Sequence, residues 1–361
     1  MDYNIEFKER LRKLLFLEVD FEGFKRSVNI PLNIKLKGKD LYLPISSKYI
    51  VSNVADQIKI NNLPIYYFIE GMLLALGADN KMSYSEDYII LLNNIKDSEK
   101  CGKSLVSARI KEDDLIEAYL LIKGLYLSTG DLEYYKKLLL VAETIREKDK
   151  GFTEILEQDI NEGLKEFENE SAPYLYKAII YKDKGDYKLA RIEIDKYINY
   201  NGEVTKDNEA IINDIKNVSD YEKAVDLLEE DPERSIQIFL SLLEKFNDNP
   251  LIYYYLGVGY RKINKFNKAI YYLDESLRLE TGILEVILEL GLNYACLQDF
   301  TTAIKYFKKA FEASKDVSTC TNIVMCYLNL GDMENARLHY KIAKELDKDD
   351  EIVKKLERLI K

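Results

Sequence analysis

The segment PLIYYYLGVGYRKINKFNKAIYYLDESLRL, residues 250–279, decides the fold, because its large and small residues recur at a fixed distance. Seven places carry the pattern, and they are Tyr253, Leu256, Gly257, Tyr260, Ala269, Leu273 and Ser276. One period later, the same places return as Ile287, Leu290, Gly291, Tyr294, Ala303, Phe307 and Ala310. A third copy follows at a distance one residue shorter, as Cys320, Ile323, Val324, Tyr327, Ala336, Tyr340 and Ala343. A fixed period of about 34 residues indicates an array of stacked repeats.

This spacing resembles the tetratricopeptide repeat, in which large residues, a glycine and a tyrosine are followed by an alanine and a large aromatic residue. The small residues stand at Gly257 and Ala269, where the resemblance implies that two antiparallel helices cross closely. Polar turns separate the two helices, as at Asn264-Lys265-Phe266. The resemblance therefore predicts an all-α fold, a right-handed superhelical array of antiparallel helix pairs of the α-solenoid kind.

Weaker copies of the pattern lie within 111–249, a range that we interpret as degenerate repeats with extra helices. Two copies keep several large residues, namely Tyr119 and Tyr126, and Tyr174 and Tyr181. In the first of them Lys123 and Tyr135 stand where small residues belong, so its helices are expected to cross less tightly. Single extra helices are predicted over Phe152–Phe167 and Lys206–Val218, and a shortened pair over Tyr221–Glu229 and Pro232–Phe246.

Residues 1–110 carry no repeat pattern and are predicted to form an atypical N-terminal region. Phe7–Val19 has the periodicity of an amphipathic helix, and Ile30–Pro44 alternates around Lys37–Asp40 as a small β-hairpin does. Two apolar helices are predicted over Pro64–Leu76 and Ser83–Ile95. We interpret the region as a cap, since terminal repeats are atypical. The alternative is a small module with its own partner.

Three well-formed repeats occupy 250–350, and the last segment, 351–361, is predicted to be a C-terminal capping helix. Its apolar residues share one face, and they are Ile352, Val353, Leu356, Leu359 and Ile360. The opposite face carries Lys354, Lys355, Glu357 and Arg358. An array needs such a helix with a polar outer face at its end.

Composition limits the classes of partner and the compartment. The formal net charge of −11 repels nucleic acid and anionic membrane surfaces, so neither is an expected partner. The first residues are too charged for a signal peptide, and no apolar window predicts membrane insertion. We expect a cytoplasmic protein with free thiols at Cys101, Cys296, Cys320 and Cys326. The content of 28 tyrosines, together with many Lys, Ile and Asn, is typical of low-GC bacterial genomes.

Nothing in the sequence predicts catalysis. General acid–base chemistry most often uses histidine, and the one histidine, His339, lies in the second helix of the last repeat, where a structural role is expected. No glycine-rich phosphate loop or dinucleotide motif occurs. The cysteines have no metal-ligand spacing. We expect no enzyme activity, no cofactor and no metal.

The resemblance implies that the first helix of each repeat lines a concave groove that binds a protein or peptide partner. The corresponding residues are Tyr254, Val258, Arg261, Leu288, Leu292, Ala295, Thr321, Met325 and Leu328. Family members that clamp acidic chaperone tails use Lys, Asn and Arg here, whereas this chain has Tyr254 and Val258 at one such pair of places. An apolar groove with a single basic residue suits an amphipathic helix or hydrophobic segment. Alternatively, the groove is covered by the protein's own segments or by a second copy.

Two classes of function follow from these observations. The first is a non-enzymatic scaffold or adaptor for protein–protein interaction, which holds a peptide or helix of its partner in the groove. The second is a regulatory repeat protein of a bacterium that senses peptides, although such proteins usually carry an N-terminal helix-turn-helix and Ile30–Pro44 reads as a hairpin. A self-associating structural protein, hence a homo-oligomer, is a further alternative.

Overall fold

The computed structural model describes residues 2–38, 40–47, 49 and 63–360. The contacts between residues divide the chain into two compact units, Met1–Glu209 and Ala210–Lys361. Both units are built of α-helices, which confirms the predicted fold class, and the first unit also holds a two-stranded sheet. Within the described ranges, none of the helices combines the length and the apolar content that crossing a membrane requires.

The first unit begins with α1 (Tyr3–Arg12), β1 (Leu14–Val19), α2 (Phe21–Ser27), β2 (Leu41–Ser46), α3 (Ile65–Ala78), α4 (Ser85–Asn94) and α5 (Ser98–Lys111). It continues with α6 (Leu115–Thr129), α7 (Leu132–Lys148), a 3₁₀ turn (Lys150–Phe152), α8 (Thr153–Glu166), α9 (Ala172–Asp183) and α10 (Tyr187–Asn199). The helices predicted over Pro64–Leu76, Ser83–Ile95 and Phe152–Phe167 are confirmed as α3, α4 and α8. Helix α5 has no counterpart among the elements predicted from the sequence.

The sheet pairs β1 with β2 in antiparallel register, with Leu14 opposite Ser46 and Val19 opposite Leu41. The predicted helix over Phe7–Val19 is therefore wrong beyond Arg12. Its second half forms a strand, because pairing with β2 satisfies the backbone groups of Leu14–Val19 and overrides the local preference for helix.

The predicted hairpin over Ile30–Pro44 is also wrong, since only its second arm is a strand and that arm pairs with β1. The backbone N–H groups of Lys37 and Gly38 donate instead to the carboxylate of Asp87, at 2.7 and 3.1 Å. The carboxylate of Asp87 thus accepts backbone hydrogen bonds in the region where the sequence predicted the turn of the hairpin. Lys39, in the predicted turn, lies outside the described residues.

Glycines bring three elements of the first unit into backbone contact. A Cβ atom at Gly77 of α3 would lie 2.0 Å from the carbonyl oxygen of Leu120 in α6, and one at Gly124 would lie 2.2 Å from that of Leu73. One at Gly71 would lie 1.9 Å from the carbonyl oxygen of Pro44 in β2. Only glycine permits these approaches, so α3 packs tightly between β2 and α6.

Charged side chains are also enclosed in the first unit. Arg109 of α5 contacts the buried Glu70 at 2.6 Å and Glu117 at 2.7 Å. Lys123 of α6 lies 2.8 Å from the buried carboxylate of Asp159, which accepts a hydrogen bond of 2.6 Å from Tyr119. Lys123 therefore pairs with α8. The small residue of α6 is its neighbour Gly124, which faces α3.

The second unit contains α11 (Glu209–Glu230), α12 (Pro232–Leu243), α13 (Pro250–Lys262), α14 (Phe266–Leu279), α15 (Leu284–Cys296), α16 (Phe300–Ser314), α17 (Val317–Leu330), α18 (Met333–Leu346) and α19 (Glu351–Ile360). Two helices predicted over Lys206–Val218 and Tyr221–Glu229 are in fact one, α11. No proline or glycine interrupts Glu209–Glu230, so nothing ends the helix between them.

The three strong repeats form the pairs α13/α14, α15/α16 and α17/α18. A Cβ atom at Gly257 would lie 2.5 Å from Leu273 of α14, and one at Gly291 would lie 2.6 Å from Phe307 of α16. The glycines thus face the large residue of the second helix, as the repeat pattern predicts. Each pair is also closed by stacked rings, namely Tyr260 on Tyr272, Tyr294 on Tyr306 and Tyr327 on His339.

Helix α19 packs on the last repeat with only part of its apolar face. Val353, Leu356 and Ile360 are buried against α17 and α18. Ile352 and Leu359 are exposed. The apolar face predicted for residues 351–361 is therefore only partly covered by the third repeat.

Candidate binding groove

The predicted groove residues lie on α13, α15 and α17, the first helices of the three strong repeats. Helix α13 contacts α15 directly as well as its own partner α14. The turn after each first helix contains a residue with positive φ at the same place, namely Asn264 at 58°, Gln298 at 63° and Gly331 at 74°. These turns therefore recur at the period of the helices.

The nine residues differ in exposure. Val258 and Thr321 are buried, and the hydroxyl of Thr321 donates to the carbonyl oxygen of Ser318 at 2.8 Å. Met325 is exposed. The remaining six are partly exposed, and they are Tyr254, Arg261, Leu288, Leu292, Ala295 and Leu328. The accessible part of the groove is therefore centred on α15 and α17, with Thr321 contributing little to it.

Aliphatic residues form a row across the three helices. Val258, Leu292 and Met325 occupy equivalent places, since the steps between them are the same as the steps between the repeats. Leu288 and Leu292 also pack against the core that joins the second and third repeats. Leu292 and Met325 thus form the accessible apolar part of the row, whereas Val258 is buried.

The single cation among the nine predicted residues, Arg261, is neutralised within the protein. Its Nε and Nη2 atoms donate to Glu289 of α15 at 2.6 and 3.0 Å, in a bidentate pair. Hydrogen bonding to Glu289 raises the pKa of the guanidinium. Arg261 is therefore engaged in linking the first two repeats, and an acidic tail would have to displace Glu289 to bind it.

Glu289 is the residue that sequence reasoning missed. It neighbours the predicted groove residue Leu288, and it is buried. A buried carboxylate needs a cationic partner, so Arg261 in the preceding repeat is the residue that could have indicated Glu289 from the sequence.

Burial also affects the tyrosine at the start of the groove. Burial, and to a smaller extent the charge of Glu289, raises the pKa of Tyr254 to about 12, so its hydroxyl stays neutral. Cys296, one turn beyond Leu292, is an exposed free thiol. Among the described residues, no three His, Cys, Asp or Glu side chains lie close enough together to hold a metal ion.

Several solved structures are similar to this chain, whereas a comparison with curated proteins found no match. YrrB, whose crystal structure is described as a TPR protein with an unusual peptide-binding site, is 16% identical and aligns over 55% of this chain and 97% of that chain, with a TM-score of 0.40. MamA is 19% identical over 49% of this chain and 92% of that chain, with a TM-score of 0.38. PilF of Pseudomonas aeruginosa is 16% identical over 63% and 96%, with a TM-score of 0.37.

The family assignment rests on the sequence itself. Residues 284–316 and 317–350 each match the family model of the tetratricopeptide repeat. These two ranges hold the helix pairs α15/α16 and α17/α18, and the pair α13/α14 repeats their pattern one period earlier. Residues 284–350 therefore contain two tetratricopeptide repeats.

Proposed function

We propose that the protein is a non-enzymatic scaffold or adaptor that binds an apolar helix or segment of a partner protein in the groove of α13, α15 and α17. The observation that carries the proposal is the aliphatic row Val258, Leu292 and Met325 beside an arginine that Glu289 already neutralises. Such a surface gains free energy by burying apolar area and offers little to a charged tail. The proposal places the protein in a reducing cytoplasm, where Cys296 remains a thiol.

Met325 is the most suitable residue for testing this proposal. It is 42% exposed in the groove, so a charge there is solvated in the free protein. In a complex the same charge would be buried without a partner, which is strongly unfavourable. The matched control is Leu338→Glu on α18, the second helix of the repeat, where Leu338 is 54% exposed.

We expect affinity capture from a native lysate, read by mass spectrometry, to lose specific proteins with Met325→Glu and to keep them with Leu338→Glu. Added salt should weaken capture only modestly, because apolar burial supplies most of the binding free energy. Equal capture by both variants contradicts the proposal.

The rival possibility, a groove covered by the protein's own segments or by a second copy, gives a different result. In that case the double variant Leu288→Glu with Leu292→Glu would change its oligomeric state, and Met325→Glu would melt at a lower temperature before any partner is added. Sizing and thermal melting of the variants alone distinguish the two cases.

A further inference from the structure

The aliphatic row of the groove continues onto the last helix. Val258, Leu292 and Met325 follow one another at the period of the repeats, and one further period leads to Leu359 of α19. Exposure rises along the row, from 8% at Val258 to 42% at Met325 and 60% at Leu359. The most accessible member of the row therefore lies outside the three repeats.

The burial of α19 supports this correspondence with α17. Val353 and Ile360 lie one period after Thr319 and Cys326, and all four side chains are buried. Val353 and Ile360 pack in one cluster with Val324 of α17. Helix α19 thus stacks on the third repeat as the first helix of a fourth repeat does.

The positions of α17 that pack against its second helix, α18, correspond to polar residues in α19. Cys320 and Val324 are buried between α17 and α18, whereas Lys354 and Arg358, one period later, are exposed. This face is therefore adapted to solvent. The exposed apolar residues Ile352 and Leu359 lie two helical turns apart and away from this polar face, and Leu359 continues the row of the groove at the period of the repeats.

One flank of this apolar pair is basic, with Lys355 and Arg358 exposed on α19 next to Leu359 or one turn before it. Lys354, on the opposite side of the helix, lies 3.3 Å from the carboxylate of Asp349. Lys355 lies 4.0 Å from Glu351, and both side chains are largely in solvent, so the pair is weak. At this end the groove therefore differs from its other end, where Glu289 neutralises Arg261.

We propose that α19 is the far end of the groove, and that the partner is an amphipathic helix whose aliphatic stripe lies on the row and whose acidic residues lie over α19. This inference rests on the proposed function and adds the extent of the surface and the chemistry of its partner. Neighbouring helices pack about 8–10 Å apart. With a rise of about 1.5 Å per residue, this spacing corresponds to about five to seven residues of the partner helix, and a repeat of seven keeps its aliphatic residues on one face.

A helix fits this surface better than an extended peptide. The row is formed by aliphatic side chains, which offer no hydrogen bonds to a peptide backbone. An extended chain laid on it would leave backbone N–H and C=O groups without partners, and each such group is costly to bury. A helix satisfies these groups internally and presents only side chains.

The experiment uses the full chain and a phage-displayed library of helical peptides of about 21 residues, long enough to cross four packed helices. The peptides carry leucine at every seventh position and random residues elsewhere. We expect selected peptides to be enriched in Asp and Glu at the end that contacts α19. Leu359→Glu should weaken their binding about tenfold or more, because the new carboxylate replaces an apolar contact and faces the acidic end of the peptide. Leu338→Glu should leave the binding unchanged.

The variants separate the two levels of the proposal. If Met325→Glu abolishes binding and Leu359→Glu behaves as Leu338→Glu does, α19 is not part of the groove, and the proposed function stands without it. A selection that returns no peptide sensitive to Met325→Glu overturns both. Exchanging Lys355 and Arg358 for Glu should shift the selected ends from acidic to basic residues, and unchanged selection overturns the charge assignment. Equal melting temperatures of Leu359→Glu and Leu338→Glu exclude unfolding as the cause.

Discussion

The two units solve the same packing problem, the close crossing of two helices, in different ways. In the strong repeats Gly257 faces the side chain of Leu273 and Gly291 that of Phe307, each on the next helix of the chain. In the first unit Gly77 faces the backbone of Leu120, across two intervening helices in the sequence. When the two crossing helices are consecutive in the chain, the crossing recurs in every repeat and the sequence shows a period. When the two helices are distant in the chain, the sequence shows no period.

The largest expected effect comes from Gly77→Ala, which disrupts the close crossing of α3 and α6. The added methyl would meet the carbonyl oxygen of Leu120 at 2.0 Å, and a backbone atom cannot move away without shifting α6. We expect a loss of about 3 kcal/mol or more in the free energy of unfolding, at the upper end for overpacked cores. Urea unfolding followed by circular dichroism measures it.

Ala78→Gly, which changes the adjacent residue in the opposite sense, is a control for helix propensity and should cost about 1 kcal/mol or less at the helix end. A Gly77→Ala variant as stable as the native chain would show that α3 and α6 are not in backbone contact.

A smaller loss is expected from Gly291→Ala in the second repeat. Here the methyl would lie 2.6 Å from the ring of Phe307, a side chain that can rotate or shift. We expect about 1–3 kcal/mol. The control is Asn267→Ala on the exposed side of α14, and the measurement is the same urea titration. If Gly291→Ala costs more than Gly77→Ala, the distinction between side-chain and backbone crossings fails.

The comparison explains how much the sequence could predict. The repeats after Pro250 are predictable because Gly257, Gly291 and their partners recur at one distance, and the groove follows from the same period. The strand Leu14–Val19 could not be found, since its pairing with Leu41–Ser46 depends on residues that are distant in the chain.

Within the candidate groove, the sequence predicted the places but not the interactions between them. Arg261 stands in the sequence as a free cation, whereas its bidentate pair with Glu289 depends on the stacking of two repeats. The exposure of Ile352 and Leu359 likewise depends on which face of α19 packs on the third repeat. A helical pattern places all the apolar residues of this helix on one side, and only the packing divides them.

The smallest expected effect concerns His339, which stands in the third strong repeat where the other two have a stacked tyrosine. Tyr272 and Tyr306 stack on tyrosines, and His339 stacks on Tyr327 with ring centres 5.4 Å apart. Burial, and then the charge of Lys308, lowers the pKa of His339. Within the described residues its Nδ1 atom is buried without a hydrogen-bond partner. The folded protein therefore favours the neutral ring.

The sign of the pH effect follows from this difference. His339 binds a proton near pH 6.5 in the unfolded chain and only at lower pH in the folded chain. The neutral ring therefore contributes fully to the free energy of unfolding above about pH 6.5, and this contribution is lost as the pH falls. His339→Tyr restores the ring of the other two repeats and removes the titration. We expect urea unfolding at about pH 7.5 and pH 5.5 to show a steeper loss of stability for the native chain than for His339→Tyr. Because all other titrating groups are shared, the difference between the two slopes belongs to His339. Identical slopes would mean that the pKa of His339 is the same in the folded and the unfolded chain. The stacked His339 ring would then be equivalent to the stacked tyrosines of the other two repeats.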